Sequence, residues 1–132
     1  MLDFVIVKEL PNNQGVLRED ADFFGERQFR EEACKCFPDL REQLLEEQGL
    51  LHVEMGLLTG AAYAAISAGD FPRVRALFGF LESVLAKRKL HRELKSAVEI
   101  SFVELSVLRQ SENGRQALQM LPPKLRAILI KT

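Results

Sequence analysis

LLHVEMGLLTGAAYAAISAGDFPRVRALFGFLESVLAKR, Leu50 to Arg88, reads as two helices joined by a tight turn, and this pair decides the fold. Leu50 to Ser67 is the most apolar stretch of the chain. Gly56, Gly60, Ala61, Ala64 and Ala65 are small, and small residues let neighbouring helices approach closely, so this is expected to be the central helix. Ala68-Gly69-Asp70 supplies a C-cap glycine and an N-cap aspartate, and Pro72 falls in the first turn of the next helix. Phe71 to Arg88 then carries Val74, Leu77, Phe78, Leu81, Val84 and Leu85 in an i, i+3, i+4, i+7 stripe. Lys87, Arg88 and Lys89 close it at the negative end of the helix dipole.

Working outward, the same periodicity continues. On the N-terminal side, Asp22 to Phe37 is expected to be a helix capped by Asp20 or Asp22 and stopped by Pro38. Asp39 to Gln48 is a short helix with Gly49 at its end. On the C-terminal side, His91 to Arg109 places Leu94, Val98, Phe102, Leu105 and Leu108 on one face. Ser111 caps a short helix through Leu121, and Pro122-Pro123 opens a last one from Lys124 to Ile130. The first residues, up to about 22, form an arm. Phe4 to Val7 favour a strand that finds no partner strand in the sequence. The expectation is an all-α, single-domain bundle of about six antiparallel helices over residues 1–132, with the arm at 1–22 and the bundle at 23–132. HEAT-like pairing is one arrangement left open, because one helix pair is clear and a solenoid needs about three.

Composition agrees with one soluble domain. The 132 residues are 47% hydrophobic and 28% charged, with a net charge of −1. That balance argues against broad nucleic-acid or anionic-membrane binding. The charge is divided, however. Met1 to Glu54 holds 13 acidic and 6 basic residues, and Met55 to Thr132 holds 6 acidic and 12 basic. One acidic and one basic face are expected, which either neutralise each other or support association, a homodimer included. No apolar run is long enough to span a bilayer, and the first ten residues lack the apolar core of a signal peptide. Cys34 and Cys36, two apart on one helix, diverge and make poor disulfide partners, so a reducing, cytoplasmic setting is expected.

Catalytic motifs are missing. His52 and Glu54 are two apart on a helix and do not face each other, and no His or Cys stands at metal-ligand spacing. His91 reads as a solvated or capping residue. There is no phosphate-binding glycine loop and no nucleophile elbow. The basic run Lys87-Arg88-Lys89, with Arg92 and Lys95, has no interleaved aromatics, so a helix end on a solvated face explains it better than a nucleic-acid site. A binding protein without enzyme activity, cofactor or metal is therefore expected. The acidic residues Glu19, Asp20 and Asp22, with Glu42, Glu46 and Glu47, are the candidate partner-binding set. Glu42 and Glu46 at i, i+4 repel each other by a few tenths of a kcal/mol, which a basic partner surface would relieve.

Three motifs carry a resemblance. Phe78, Phe80, Leu81 and Glu82 match the sense F-x-F-[IL]-E. Val98, Ile100, Ser101, Phe102, Val103, Glu104 and Leu105 match V-x-[VI]-S-F-[LIV]-E-x-L. Pro123, Lys124 and Arg126 match [GP]-P-K-x-R. With CFPDLREQLLEE ahead of the central helix, these residues resemble a family of small bacterial helical proteins of unknown function, over about two-thirds of the chain. Members are often read as immunity proteins beside polymorphic or type VI-secreted toxins. The resemblance therefore implies a cytoplasmic protein that neutralises a cognate toxin, a nuclease among the options, by direct tight binding. A helical adaptor module is the alternative. Glu104, in an apolar stretch, is expected to accept from a basic side chain or a helix N-terminus, because an unpaired buried carboxylate is costly.

Overall fold

The computed structural model describes residues 23–103 and 109–130. The arm, Glu104, Leu105 and Leu108 lie outside the described residues. Within them the chain is all-α, with seven helices where the periodicity suggested about six. They are α1 (Glu26–Cys36), α2 (Arg41–Glu46), α3 (Leu51–Ala68), α4 (Phe71–Leu85), α5 (Arg92–Val103), α6 (Glu112–Gln119) and α7 (Pro123–Ile130), with a 3₁₀ turn, Pro38–Leu40, between α1 and α2. No helix among the described residues is long and apolar enough to cross a membrane.

Local chemistry sets most boundaries. Gly69 takes the left-handed conformation, φ 72°, that ends α3, and the Asp70 carboxylate accepts from the Arg73 N–H at 3.3 Å to start α4. The Ser111 hydroxyl accepts from the Gly114 N–H at 2.9 Å to start α6. His91 Nδ1 accepts from the Glu93 N–H at 3.1 Å, so this histidine does cap α5. Two expected boundaries move. α1 begins after Gly25, not at an aspartate, and the Gln28 side chain reaches back to accept from the Gly25 N–H. α4 ends at Leu85, so Lys87 to Lys89 belong to the following turn. That turn is tied down by Phe24, whose N–H donates to the Lys89 carbonyl at 2.7 Å and whose carbonyl accepts from the His91 N–H at 2.9 Å.

α3 is central, packing against α2, α4, α5 and α6. Its inward face is Glu54, Met55, Leu58, Ala62, Ala65 and Ile66. The expected role of its small residues is only partly met. Ala65 is buried, but Gly56, Gly60 and Ala64 lie on the outer face, and a Cβ at either glycine would meet nothing within 4 Å. The α4 stripe of Val74, Leu77, Phe78, Leu81 and Val84 is buried, and Phe80 is buried as well. Phe80 sits on a second face of α4, edge-on to Phe37 at 5.5 Å and tilted against Phe29 at 5.9 Å, which fixes α1 to the bundle. Phe78 meets Phe102 of α5 in a T-shaped pair at 5.6 Å. Such pairs add about 0.5–1.5 kcal/mol beyond their area.

The motif residues Glu82 and Pro123-Lys124 meet. Pro123 opens α7 and has no N–H of its own, which leaves the Lys124 and Leu125 N–H groups without intrahelical acceptors. The Glu82 carboxylate takes both, at 3.0–3.1 Å, from 42 residues away. Its charge also lies at the positive end of α7. Arg126 donates to the Gln119 and Leu121 carbonyls at 3.2 and 3.3 Å, closing the end of α6. Replacing Glu82 by Ala is expected to cost about 1–2 kcal/mol, read as a lower urea midpoint with an unchanged slope. An unchanged midpoint would mean that this cap contributes nothing.

Candidate functional site

The corner where α1, α2 and α3 meet holds the buried charged side chains of the described residues, Arg30 and Glu54. Glu26 and Arg30 pair one turn apart on α1. Arg30 also stands 3.8 Å from Glu54 of α3. The Gly49 N–H, in the turn between α2 and α3, donates to Glu54 Oε2 at 2.9 Å and to Glu26 Oε2 at 3.2 Å. Gly49 has φ 91°, a left-handed conformation that glycine adopts without a Cβ penalty.

Two carboxyls and one guanidinium in a buried site cannot all be charged cheaply. Burial pushes the Glu54 carboxyl up to about 7, and the neighbouring Glu26 pushes the same way. Burial would raise Glu26 too, but its hydrogen bonds to Glu54, Arg30 and the Gly49 N–H, with the Arg30 charge, outweigh that and hold it below the ordinary range. Of the two carboxyls, Glu54 is the one that holds a proton more readily. Glu54 Oε1 is buried and has no hydrogen-bond partner among the described residues. A carboxyl titrating near neutrality often marks an active site. This one is fully buried. Its arrangement fits a strut that locks three elements.

Over this strut lies a surface groove of about 450 Å³ between α1 and α2, lined by Arg30, Glu31, Cys34, Lys35, Pro38, Arg41 and Leu45. Its outer wall is α2. Leu44 is buried while Glu42, Leu45 and Glu46 face outward, and Leu45 and Leu50 are 41% and 54% exposed. The division of charge along the sequence resolves at this point. Glu31 pairs with Arg27 at 3.3 Å, Glu32 with Lys87 at 3.5 Å, and Asp39 with Arg73 at 2.6 Å. Two of these three bridges join the acidic half to the basic half. Glu42, Glu46 and Glu47 enter no ion pair among the described residues. The other half of the candidate set, Glu19, Asp20 and Asp22, lies outside the described residues, so the structure does not bring the six together.

Lys87, from the basic run, is engaged by Glu32 and stacks over Phe24 at 4.8 Å. His52 is exposed and Glu54 buried, so they do point apart. Cys34 and Cys36 are free thiols. Among the described residues no three His, Cys, Asp or Glu side chains are placed to hold a metal. Two smaller grooves, one at Arg109 and Arg126 and one at Lys95, Glu99 and Lys124, bring no nucleophile onto a base. The sequence reading missed the Glu54 strut. Its signal was one carboxylate on the inward register of an otherwise apolar helix, matched by a Glu-Arg pair at i, i+4 on α1.

A family model, a domain of unknown function (DUF7674), matches residues 30–132. The chain belongs to that family. The match takes in α2, α3 and every residue lining the α1–α2 groove, and begins after Glu26. No curated protein and no solved structure matches the chain.

The strut makes stability depend on pH. Because the folded protein holds the Glu54 proton more tightly than the unfolded chain, its contribution is full below about pH 4.5 and is lost as pH rises to about 7. Glu26, held low, acts in the opposite sense below that window. Urea unfolding at pH 5 and pH 8 is expected to show the wild type roughly 2–3 kcal/mol weaker at the higher pH. Glu54→Gln, which keeps the shape and stays neutral, is expected to flatten that slope. Equal slopes in the two proteins would remove Glu54 as its source.

Proposed function

We propose that this chain is an immunity-type binding protein that neutralises a cognate bacterial toxin by direct, tight association in the cytoplasm, without chemistry of its own. The observation that carries the reading is the outer face of α2. Glu42 and Glu46 there, with Glu47 at the C-cap, enter no ion pair among the described residues and lie close in sequence to the exposed Leu45 and Leu50. Apolar anchors rimmed by uncompensated charge are the makings of a protein-binding surface: the anchors supply affinity, and the charge steers encounter. The acidic sign suits a basic partner. A toxin acting on nucleic acid, delivered by a type VI system, has such a cleft, and carboxylates spaced one turn apart can occupy the places of substrate phosphates. The rigid base under α2, from the Gly49 N–H to Glu54 and Arg30, keeps this face preorganised, which lowers the cost of binding.

The motif resemblance supports the same reading. A second reading, a helical adaptor acting through self-association, is favoured by the uncharged outer face of α3.

The test is a pulldown of the tagged chain from its host, then co-expression with the toxin domain so captured, followed by titration calorimetry. Wild type is expected to restore growth and bind stoichiometrically. Glu42→Lys/Glu46→Lys is expected to weaken binding at least tenfold, about 1.4 kcal/mol, at an unchanged melting temperature. Loss of protection should follow. Failure of the wild type to protect or to bind would overturn the proposal. Unchanged affinity in the double variant would remove α2 as the contact.

A further inference from the structure

The groove between α1 and α2 holds about 450 Å³, within the range of about 300–1,000 Å³ usual for small-ligand clefts. Its lining is unevenly charged. Arg30, Lys35 and Arg41 are cations, and Glu31 is the one acid. Glu31 is held by Arg27 at 3.3 Å. The side chains of Lys35 and Arg41 enter no ion pair and no hydrogen bond among the described residues. Lys35 lies in the last turn of α1 and Arg41 opens α2, on either side of the Pro38 turn. That stretch of the groove therefore carries two uncompensated positive charges. Arg30 adds a fixed donor. It is 8% exposed, and its Nη1 makes the contacts with Glu26 and Glu54. A guanidinium has five N–H donors. No Arg30 nitrogen is buried without a partner, so the donors that these contacts leave over open onto the groove that Arg30 lines. The rest of the lining is Cys34, Pro38 and Leu45, the last 41% exposed.

We propose that this groove is a binding site for a small organic acid with an apolar body. Lys35 and Arg41 hold its carboxylate, Arg30 offers a donor already fixed by Glu26, and Cys34 and Leu45 cover the apolar part. Both halves of the ligand follow from the lining. A neutral apolar molecule would leave the two cations unanswered, and a bare inorganic anion would leave Leu45 uncovered. A carboxylate on an apolar body answers both, and its hydrogen bonds to charged donors are roughly twice as strong as neutral ones. A few placed polar groups on an otherwise apolar wall are the usual composition of such a site. Glu42, Glu46 and Glu47 take no part in it, so the inference stands apart from the toxin reading.

The test is titration of the full-length, nitrogen-labelled chain with sodium octanoate below its micelle-forming concentration, followed by amide NMR shifts. Saturable shifts concentrated between Arg30 and Leu45 are expected. Octanol, which has the same apolar body without the charge, is expected to bind at least tenfold more weakly. Octanoate is expected to bind Lys35→Glu/Arg41→Glu at least tenfold more weakly as well. Both side chains are exposed, so the double variant should melt with the wild type when no octanoate is present. Cys34 gives a second readout that needs no variant at the two cations. In a Cys36→Ser background, octanoate is expected to slow alkylation of Cys34 several-fold. Shifts that do not saturate, octanol binding as tightly as octanoate, or a double variant that binds equally well would overturn the inference. A groove that takes a blocked glutamate–leucine tetrapeptide but not octanoate is a peptide dock, which also overturns it. Shifts over the same stretch that follow protein concentration alone would assign the groove to a second copy, with the same consequence.

Discussion

One buried carboxyl organises the corner where α1, α2 and α3 meet. Glu54 lies on the inward face of the central helix, where burial disfavours the ionised form. Burial and Glu26 raise its pKa to about 7, and it is held by the Gly49 N–H and flanked by Arg30. Its partners come from two other elements: Glu26 and Arg30 from α1, Gly49 from the turn that follows α2. The cluster therefore fixes the angle at which α1 and α2 leave the α3 core, and with it the groove and the acidic ridge. Removing one partner would leave an uncompensated charge behind, which costs more than the interaction itself contributes. Such a cluster gives specificity of arrangement more than raw stability.

The rest of the bundle supports this corner from a distance. Aromatic contacts of Phe80 with Phe29 and Phe37 anchor α1 to α4, while the Asp39–Arg73 and Glu32–Lys87 bridges run between the same two regions. Much of the charge division in the sequence is thus used internally. What stays unpaired among the described acidic residues of that half is concentrated on α2, and that residue of charge gives the surface its direction. At the far end, Glu82 holds the start of α7 and Arg126 the end of α6. Of the motif residues, Glu82 and Arg126 join segments far apart or adjoining helices, and Phe78, Phe80 and Phe102 fill the core.

Local signals in the sequence carried the fold well. The α4 stripe, the Gly69-Asp70 turn and the Ser111 cap are short-range patterns with a direct physical cause, and each stands where its pattern put it. Long-range chemistry was harder to read. Nothing within a few residues of Glu82 announces that it caps a helix 42 residues on, and nothing beside Glu54 announces a partner on α1. Gly56 and Gly60 show the converse. Their size suggested close packing, but the register of Met55, Leu58 and Ala62 turns them outward. Glu42, Glu46 and Glu47 could be singled out from spacing; that they lack partners among the described residues could be seen only once Glu31, Glu32 and Asp39 had found theirs.

The central claim is that a preorganised acidic ridge on α2, seated on the Glu54 cluster, is the surface through which this chain binds its partner. Hydrogen exchange of the chain, free and saturated with the proposed toxin partner once that is isolated by pulldown, tests that most directly. The account predicts new protection concentrated in α2 and the turn through Gly49, with α5 to α7 unchanged. Protection confined to α5 to α7, or none anywhere, would contradict it.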